Sequence, residues 1–183
     1  MKKFLLALVL VLPMMLAGCS NNKDVNNQKN SGVSKEITKP NFISSIKGVN
    51  IGATAEQTID LLKSQGLIVE VSGDGIQFIE VNDKIAFDNF VFDTLTAYAY
   101  TDGISNILLK REFYSESSAV VFYNEVDGYF NGKYSHFKSI PNEVQRNAYV
   151  ECARWTDTKT DLDLYLEQDG GAWNVGLMLS AHN

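Results

Sequence analysis

Histidine, cysteine and proline are scarce in this chain of 183 residues, which holds two, two and three of them. His136 and His182 are therefore the only bases available to a Ser–His or Cys–His nucleophilic pair. Neither has a nucleophile motif beside it, and no Gly-x-Ser-x-Gly occurs, so both read as surface histidines. Cys19 and Cys152 with two distant histidines offer no zinc-ligand spacing, so no metal site is implied. Positive charge is also short: 16 Lys and Arg stand against 22 Asp and Glu, a formal net charge of −6. That balance argues against nucleic acid, whose phosphate backbone needs clustered cations to release its counterions. Gly73-Asp74-Gly75 lacks the third glycine and the lysine of a phosphate loop and reads as a turn. No cofactor is implied. Apolar runs are short too, the longest covering about thirteen residues, too few to span a bilayer as a stable helix.

That run lies at the start. Lys2 and Lys3 precede an apolar stretch from Phe4 to Leu16, broken only by Pro13, and small Ala17 and Gly18 lead into Cys19. This is the layout of a secretory leader. The Leu16-Ala17-Gly18-Cys19 ending resembles the bacterial lipobox, in which the cysteine is diacylated, the leader is cut off before it, and the new amino terminus is usually acylated. The resemblance implies a signal peptide over 1–18, lipidation at Cys19 and attachment to a membrane of the cell envelope, outside the cytoplasm. Three acyl chains, at about 0.8 kcal/mol per buried CH₂, hold far more firmly than one. Ser20 stands where an aspartate retains such lipoproteins in the inner membrane, so the outer membrane is implied if the cell has two. Losing Lys2 and Lys3 with the leader takes the formal charge from −6 to −8, which leaves attachment to the lipid anchor rather than to a basic patch. Cys152 is then the only thiol left, so no internal disulfide forms and stability must come from a packed core. It reads as a small buried apolar residue.

Residues 20–39 are polar, dominated by Asn, Lys, Ser and Gln, and cannot bury enough surface to offset their ordering entropy. They read as a flexible tether between the anchor and a domain over 40–183. Within the domain, Thr54-Ala55-Glu56-Gln57 has capping-box spacing, Ala55, Ile59 and Leu62 recur on one helical face, and Gly66 sits where a helix would end. Short β-type runs follow at 77–81, 85–92, 95–101 and 104–113, with Asp102-Gly103 as a hairpin signal. Then the order repeats. Ser115 can cap a helix over about 116–130 with Ala119, Phe122, Val126 and Phe130 on one face and Gly132 ending it. Runs at 148–155, 161–167 and 172–179 follow, joined by a turn at 156–160 and by Asp169-Gly170-Gly171. The expected class is α+β: two tandem helix-plus-antiparallel-meander units, about 40–114 and 115–183, with helices on one face of a sheet.

The lead-in Gly48-Val49-Asn50-Ile51-Gly52-Ala53-Thr54, the helix through Leu62 and the meander after it make this layout resemble the β-lactamase-inhibitor-protein-like superfamily. It is also similar to small lipoproteins of the outer-membrane β-barrel assembly machinery. The resemblance covers about 40–180 and implies a binding or scaffolding module rather than an enzyme.

Two groups of side chains are candidates for such a surface. Asp161, Asp163 and Glu167 share a strand face with Tyr165, while Leu162, Leu164 and Leu166 point to the core. This row reads either as a solvated strand face or as a site for an ion or basic partner; it has no EF-hand loop pattern. Tyr98 and Tyr100 lie opposite Leu95, Ala97 and Ala99, whose small alanines suit packing beneath helices. If the two meanders form one sheet, Tyr165 and either Trp155 or Trp173 can join the tyrosines, although Trp173 shares its face with Val175, Leu177 and Leu179 and reads as core. Rigid aromatics are enriched at binding hot spots, and they also fill cores. The reading that follows is a lipid-anchored, non-catalytic envelope module. It would recognise a protein or envelope component, basic or neutral, through an open sheet face bearing Tyr98, Tyr100, Asp161, Asp163, Tyr165 and Glu167. The alternatives are a glycan-binding or glycan-processing surface lipoprotein and a purely structural envelope lipoprotein.

Overall fold

A computed structural model describes residues 41–134 and 150–182. The leader, Cys19, the tether and His136 lie outside the described residues. The folded chain opens with a small hairpin, β1 (Ser45–Ile46) and β2 (Val49–Asn50), which buries Ile46 and Val49. The first helix, α1 (Ala55–Ser64), starts at the capping box the sequence predicts. Thr54 Oγ1 accepts from the Gln57 N–H at 3.2 Å, and Gln57 Oε1 accepts from the Thr54 N–H at 3.1 Å. Gly66, at φ 79°, closes it.

Strands β3 (Glu70–Ser72) and β4 (Gln77–Val81) follow, then a second small hairpin, β5 (Ile85–Phe87) with β6 (Phe90–Phe92). Next come β7 (Thr94–Tyr100), β8 (Gly103–Phe113) and α2 (Glu116–Lys133), whose amino end Ser115 caps through Ser118 N–H. The chain finishes with β9 (Glu151–Thr156), β10 (Thr160–Asp169) and β11 (Ala172–Ala181). Seven of these strands make one antiparallel sheet in the order β3-β4-β7-β8-β11-β10-β9. The β8–β11 pairing, in register from Asn106 with Ser180 to Phe113 with Trp173, joins its early and late strands.

One face of this sheet forms the core. Ile79, Leu95, Ala97, Ile107, Leu109, Leu177, Leu164, Ala153 and Trp155 alternate inward along their strands and are fully buried. They cluster with Leu62 of α1 and with Ala119, Phe122, Val126 and Phe130 of α2, so the helices cover this face. The described residues thus form a mixed α+β domain with a large antiparallel sheet and two helices.

Several boundaries differ from the sequence reading. Helix α2 runs through Gly132 to Lys133. A glycine in a helix costs roughly 1 kcal/mol, and the buried rings on either side of Gly132, Phe130 and Tyr134, offset it. Phe130 stacks on Tyr134 with ring centroids 5.9 Å apart and touches Trp155 at 5.5 Å. The run 85–92 is two strands, because Asp88 takes φ 50° and reverses the chain. Lys133 Nζ, 2.7 Å from Asp88 Oδ2, holds that turn against the end of α2. The Asp102-Gly103 hairpin forms as predicted, with Tyr100 opposite Gly103. Gly103 has a second duty: a Cβ there would lie 2.7 Å from Gly52 O, where the lead-in to α1 bonds to Ile104 through two backbone hydrogen bonds.

Candidate binding face

Between the core residues on each strand stand the side chains of the opposite face, and the strand register sets them in rows. Tyr98, Asn106, Ser180, Asp161 and Thr156 stand side by side across β7, β8, β11, β10 and β9. Thr96, Leu108, Met178, Asp163 and Arg154 make the next row, and Thr94, Lys110, Gly176, Tyr165 and Cys152 the one after. Tyr98, Tyr100, Asp161, Asp163, Tyr165 and Glu167 therefore share the face turned away from the core.

They do not share an environment. Tyr100 is 42% exposed, whereas Tyr98 is half-buried and meets Phe78 edge-on at 5.4 Å. Burial, then the nearby Glu80 and Glu167 carboxylates, pushes the Tyr98 phenol above its ordinary pKa.

The acidic row is not the solvated face that alternation allows. Asp163 is only 3% exposed and Asp161 8%. Arg154, the direct cross-strand neighbour of Asp163, folds over it in a two-pronged ion pair, Nε to Oδ1 at 2.5 Å and Nη2 to Oδ2 at 2.7 Å. The Asp163 hydrogen bond is the main reason the guanidinium pKa is raised. Arg154 Nη1 lies 4.0 Å from Asp161 Oδ2. Tyr165 is 5% exposed because its ring lies over Gly176, which has no side chain to displace it. Of the four, Glu167 alone stays partly open, 3.3 Å from Lys110 Nζ. With Asp163 clasped by a guanidinium, the row has little left to offer a calcium ion. Among the described residues no three His, Cys, Asp or Glu side chains group to hold a metal.

Two further expectations are corrected. Trp155 cannot join the tyrosines: it is fully buried on the helix side, where its Nε1–H donates to Asn131 Oδ1 at 3.0 Å. Trp173 packs partly buried against the same core. Cys152 is not a core residue but sits half-buried on the opposite face beside Tyr165. Burial, with the Asp163 carboxylate adding to it, pushes its thiol up to about 11.

At one end of the face the rows open into a groove of about 630 Å³. Tyr100, Asp102, Ser105, Asn106, Asp161, Arg154, Thr156, Ser180 and His182 line it. The β7–β8 ladder slips by one residue here, Tyr98 pairing with Asn106 while Ala99 pairs with Ile104. Ser105 is the extra residue of this bulge, so two consecutive side chains, Ser105 and Asn106, turn to the groove between core residues Ile104 and Ile107.

His182 closes the far wall. Its backbone N–H donates to Lys159 O at 2.8 Å, and its Nδ1 lies 2.9 Å from Asp161 Oδ1 and 3.2 Å from Thr156 Oγ1. The Thr156 hydroxyl already donates to Asp157 O at 3.1 Å. Both neighbours of Nδ1 are therefore acceptors, so Nδ1 carries a proton.

Arg154, Asn106 and Ser180 escaped the sequence reading, and His182 reads there only as a surface histidine. Only the alternation of β9 and β11, once registered against β10 and β8, brings them together. The face and its groove remain without a precedent to read them by, for no family model, no curated protein and no solved structure matches this chain.

Proposed function

We propose that this protein is a lipid-anchored, non-catalytic module of the cell envelope that recognises another envelope component through the sheet face opposite its helices. The anchor rests on the leader and on Cys19, which would make the envelope the site of action. Helix followed by antiparallel strands, twice in chain order, supports treating the domain as two tandem units in the manner of the β-lactamase-inhibitor-protein-like layout.

One observation carries the reading. The face away from the helices presents exposed Tyr100 beside half-buried Tyr98, rigid contact area held on strands rather than on a loop. Buried Asp161, Asp163 and Tyr165 then serve as the support that fixes this surface, and Glu167 as its acidic rim. The formal charge of −6 favours a basic or neutral partner. The polar lining of the groove favours glycan recognition as the second reading.

The test is reversible crosslinking in membranes of the protein's own host, followed by affinity capture of the tagged lipoprotein. Wild type should recover a reproducible component that Tyr98→Ala with Tyr100→Ala loses. Recovery unchanged by the double substitution would show that the face is not the binding surface.

A further inference from the structure

We infer that the groove beside Tyr100 is a saccharide site, shaped for a neutral or amino-bearing oligosaccharide and unsuited to an acidic one. The inference rests on the proposed binding face and names what one end of it takes.

Each hydroxyl of a sugar both donates and accepts, so a sugar site needs both kinds of partner, close together and not already engaged. The Asn106 amide, the Ser180 hydroxyl, the Tyr100 hydroxyl and Asp102 line this groove with no side-chain hydrogen bond among the described residues. An amide offers two donors and an acceptor, a hydroxyl one donor and two lone pairs, a carboxylate acceptors only. Arg154 adds a donor through Nη1, because Nε and Nη2 are spent on Asp163. His182 adds its Nε2, an acceptor in the neutral ring and a donor in the charged one.

These groups are held rather than loose. Arg154 is fixed by its two-pronged bond to a carboxylate with 4% side-chain exposure, and His182 by Asp161 and by its backbone bond to Lys159. The bulge at Ser105 commits two adjacent strand positions to the groove instead of one. Tyr100, 42% exposed on the rim, gives the apolar face of a pyranose ring a flat surface to lie on.

Charge selects among sugars. Asp102 and Asp161 line the groove, Asp163 stands directly behind Arg154, and Arg154 is the one permanent cation against these three. A carboxylated or phosphorylated glycan would meet like charge, whereas an amino group would be drawn to Asp102. A volume of about 630 Å³ lies within the roughly 300–1,000 Å³ range of small-ligand clefts.

The experiment is titration calorimetry of the full-length lipoprotein in mild detergent. The ligands are tetramers of β-1,4-linked glucose, N-acetylglucosamine and glucosamine and of α-1,4-linked glucose, with a galacturonic acid tetramer as the acidic comparison. At least one neutral or amino tetramer should bind and the acidic one should not. Asn106→Ala and Tyr100→Ala, checked for an unchanged melting temperature, should each weaken binding about tenfold or more, a loss of roughly 1.4 kcal/mol. Because Tyr100 lies on the rim and is partly exposed, its truncation leaves the fold intact even if Asn106→Ala does not. No binding of any neutral or amino tetramer at millimolar concentration overturns the assignment, as does tighter binding of the acidic one or indifference to both substitutions. Capture of an envelope component that depends on Tyr98 and Tyr100, without sugar binding, would overturn the saccharide site alone. Loss of both results would overturn the binding face with it.

Discussion

Tyr165 and Gly176 face each other across β10 and β11, and the tyrosine ring fills the space that a side chain on the glycine would need. A Cβ on Gly176 would lie 2.0 Å from Tyr165 Cζ and 2.3 Å from its hydroxyl oxygen. This contact buries Tyr165 on the face opposite the helices, and it keeps the ring between the Arg154–Asp163 pair and Glu167.

Gly176→Ala must therefore push the ring aside. It should destabilise the domain by about 1–3 kcal/mol, the ordinary range for overpacking. In a Tyr165→Ala background the same substitution should be nearly neutral, because the atom it would strike is gone. Urea unfolding of the four proteins measures the coupling; additive effects would mean that the two residues do not meet as described.

Arg154→Met strands the Asp163 carboxylate, 3% exposed, without its counter-charge. Breaking a fully buried pair costs about 3–5 kcal/mol. Arg154 keeps 31% side-chain exposure, so about 2–4 kcal/mol is expected once solvent screening is allowed for. Adding Asp163→Leu should return most of it, since the uncompensated charge leaves with the aspartate. Thermal melts of single and double variants check this.

Cys152 should be a slow thiol. With a pKa raised to about 11, it carries far less thiolate at pH 8 than an ordinary cysteine, and thiolate is the nucleophile. In a Cys19→Ser chain, where it is the only thiol, alkylation at pH 8 should run at least about tenfold slower than for a free cysteine. Denaturant should restore the ordinary rate. Equal rates folded and unfolded would contradict its burial.

Much of this was legible in the sequence, and the rest was not, for physical reasons. The capping box at Thr54, the Asp102-Gly103 hairpin and the apolar face of Ala119, Phe122, Val126 and Phe130 are local signals, set by hydrogen bonds and side chains within a few residues. Strand alternation put Tyr98, Tyr100 and the Asp161–Glu167 row opposite the core. Alternation says nothing of what lies across the ladder. The burial of Asp161 and Asp163 depends on Arg154 of β9, and that of Tyr165 on Gly176 of β11, both fixed by register alone. The groove needed more still, since it forms where five strands, β7 to β11, contribute side chains and where one bulge turns Ser105 beside Asn106. β1, β2 and β3 are too short to carry a pattern of their own.

Acid should weaken the domain in a definite window. Burial works against the Asp93 carboxylate, but the Lys84 ammonium and the Glu112 N–H outweigh it and hold its pKa below the ordinary 3.8. A lowered folded-state pKa contributes stability that is present above the unfolded value and is lost as pH falls through the folded one. Asp93→Asn should therefore be less stable than wild type at neutral pH, with the gap closing below about pH 3.8. A gap that stays constant into strong acid would remove Asp93 from the acid transition.

The proposed binding face is tested most directly by placing a photo-reactive amino acid at Tyr98, at Tyr100 and, on the outer side of α2, at Val121, which is 58% exposed. Irradiation in native membranes should join the same component to the Tyr98 and Tyr100 positions and nothing to Val121. Crosslinks from Val121 with none from the two tyrosine positions would contradict recognition through the open sheet.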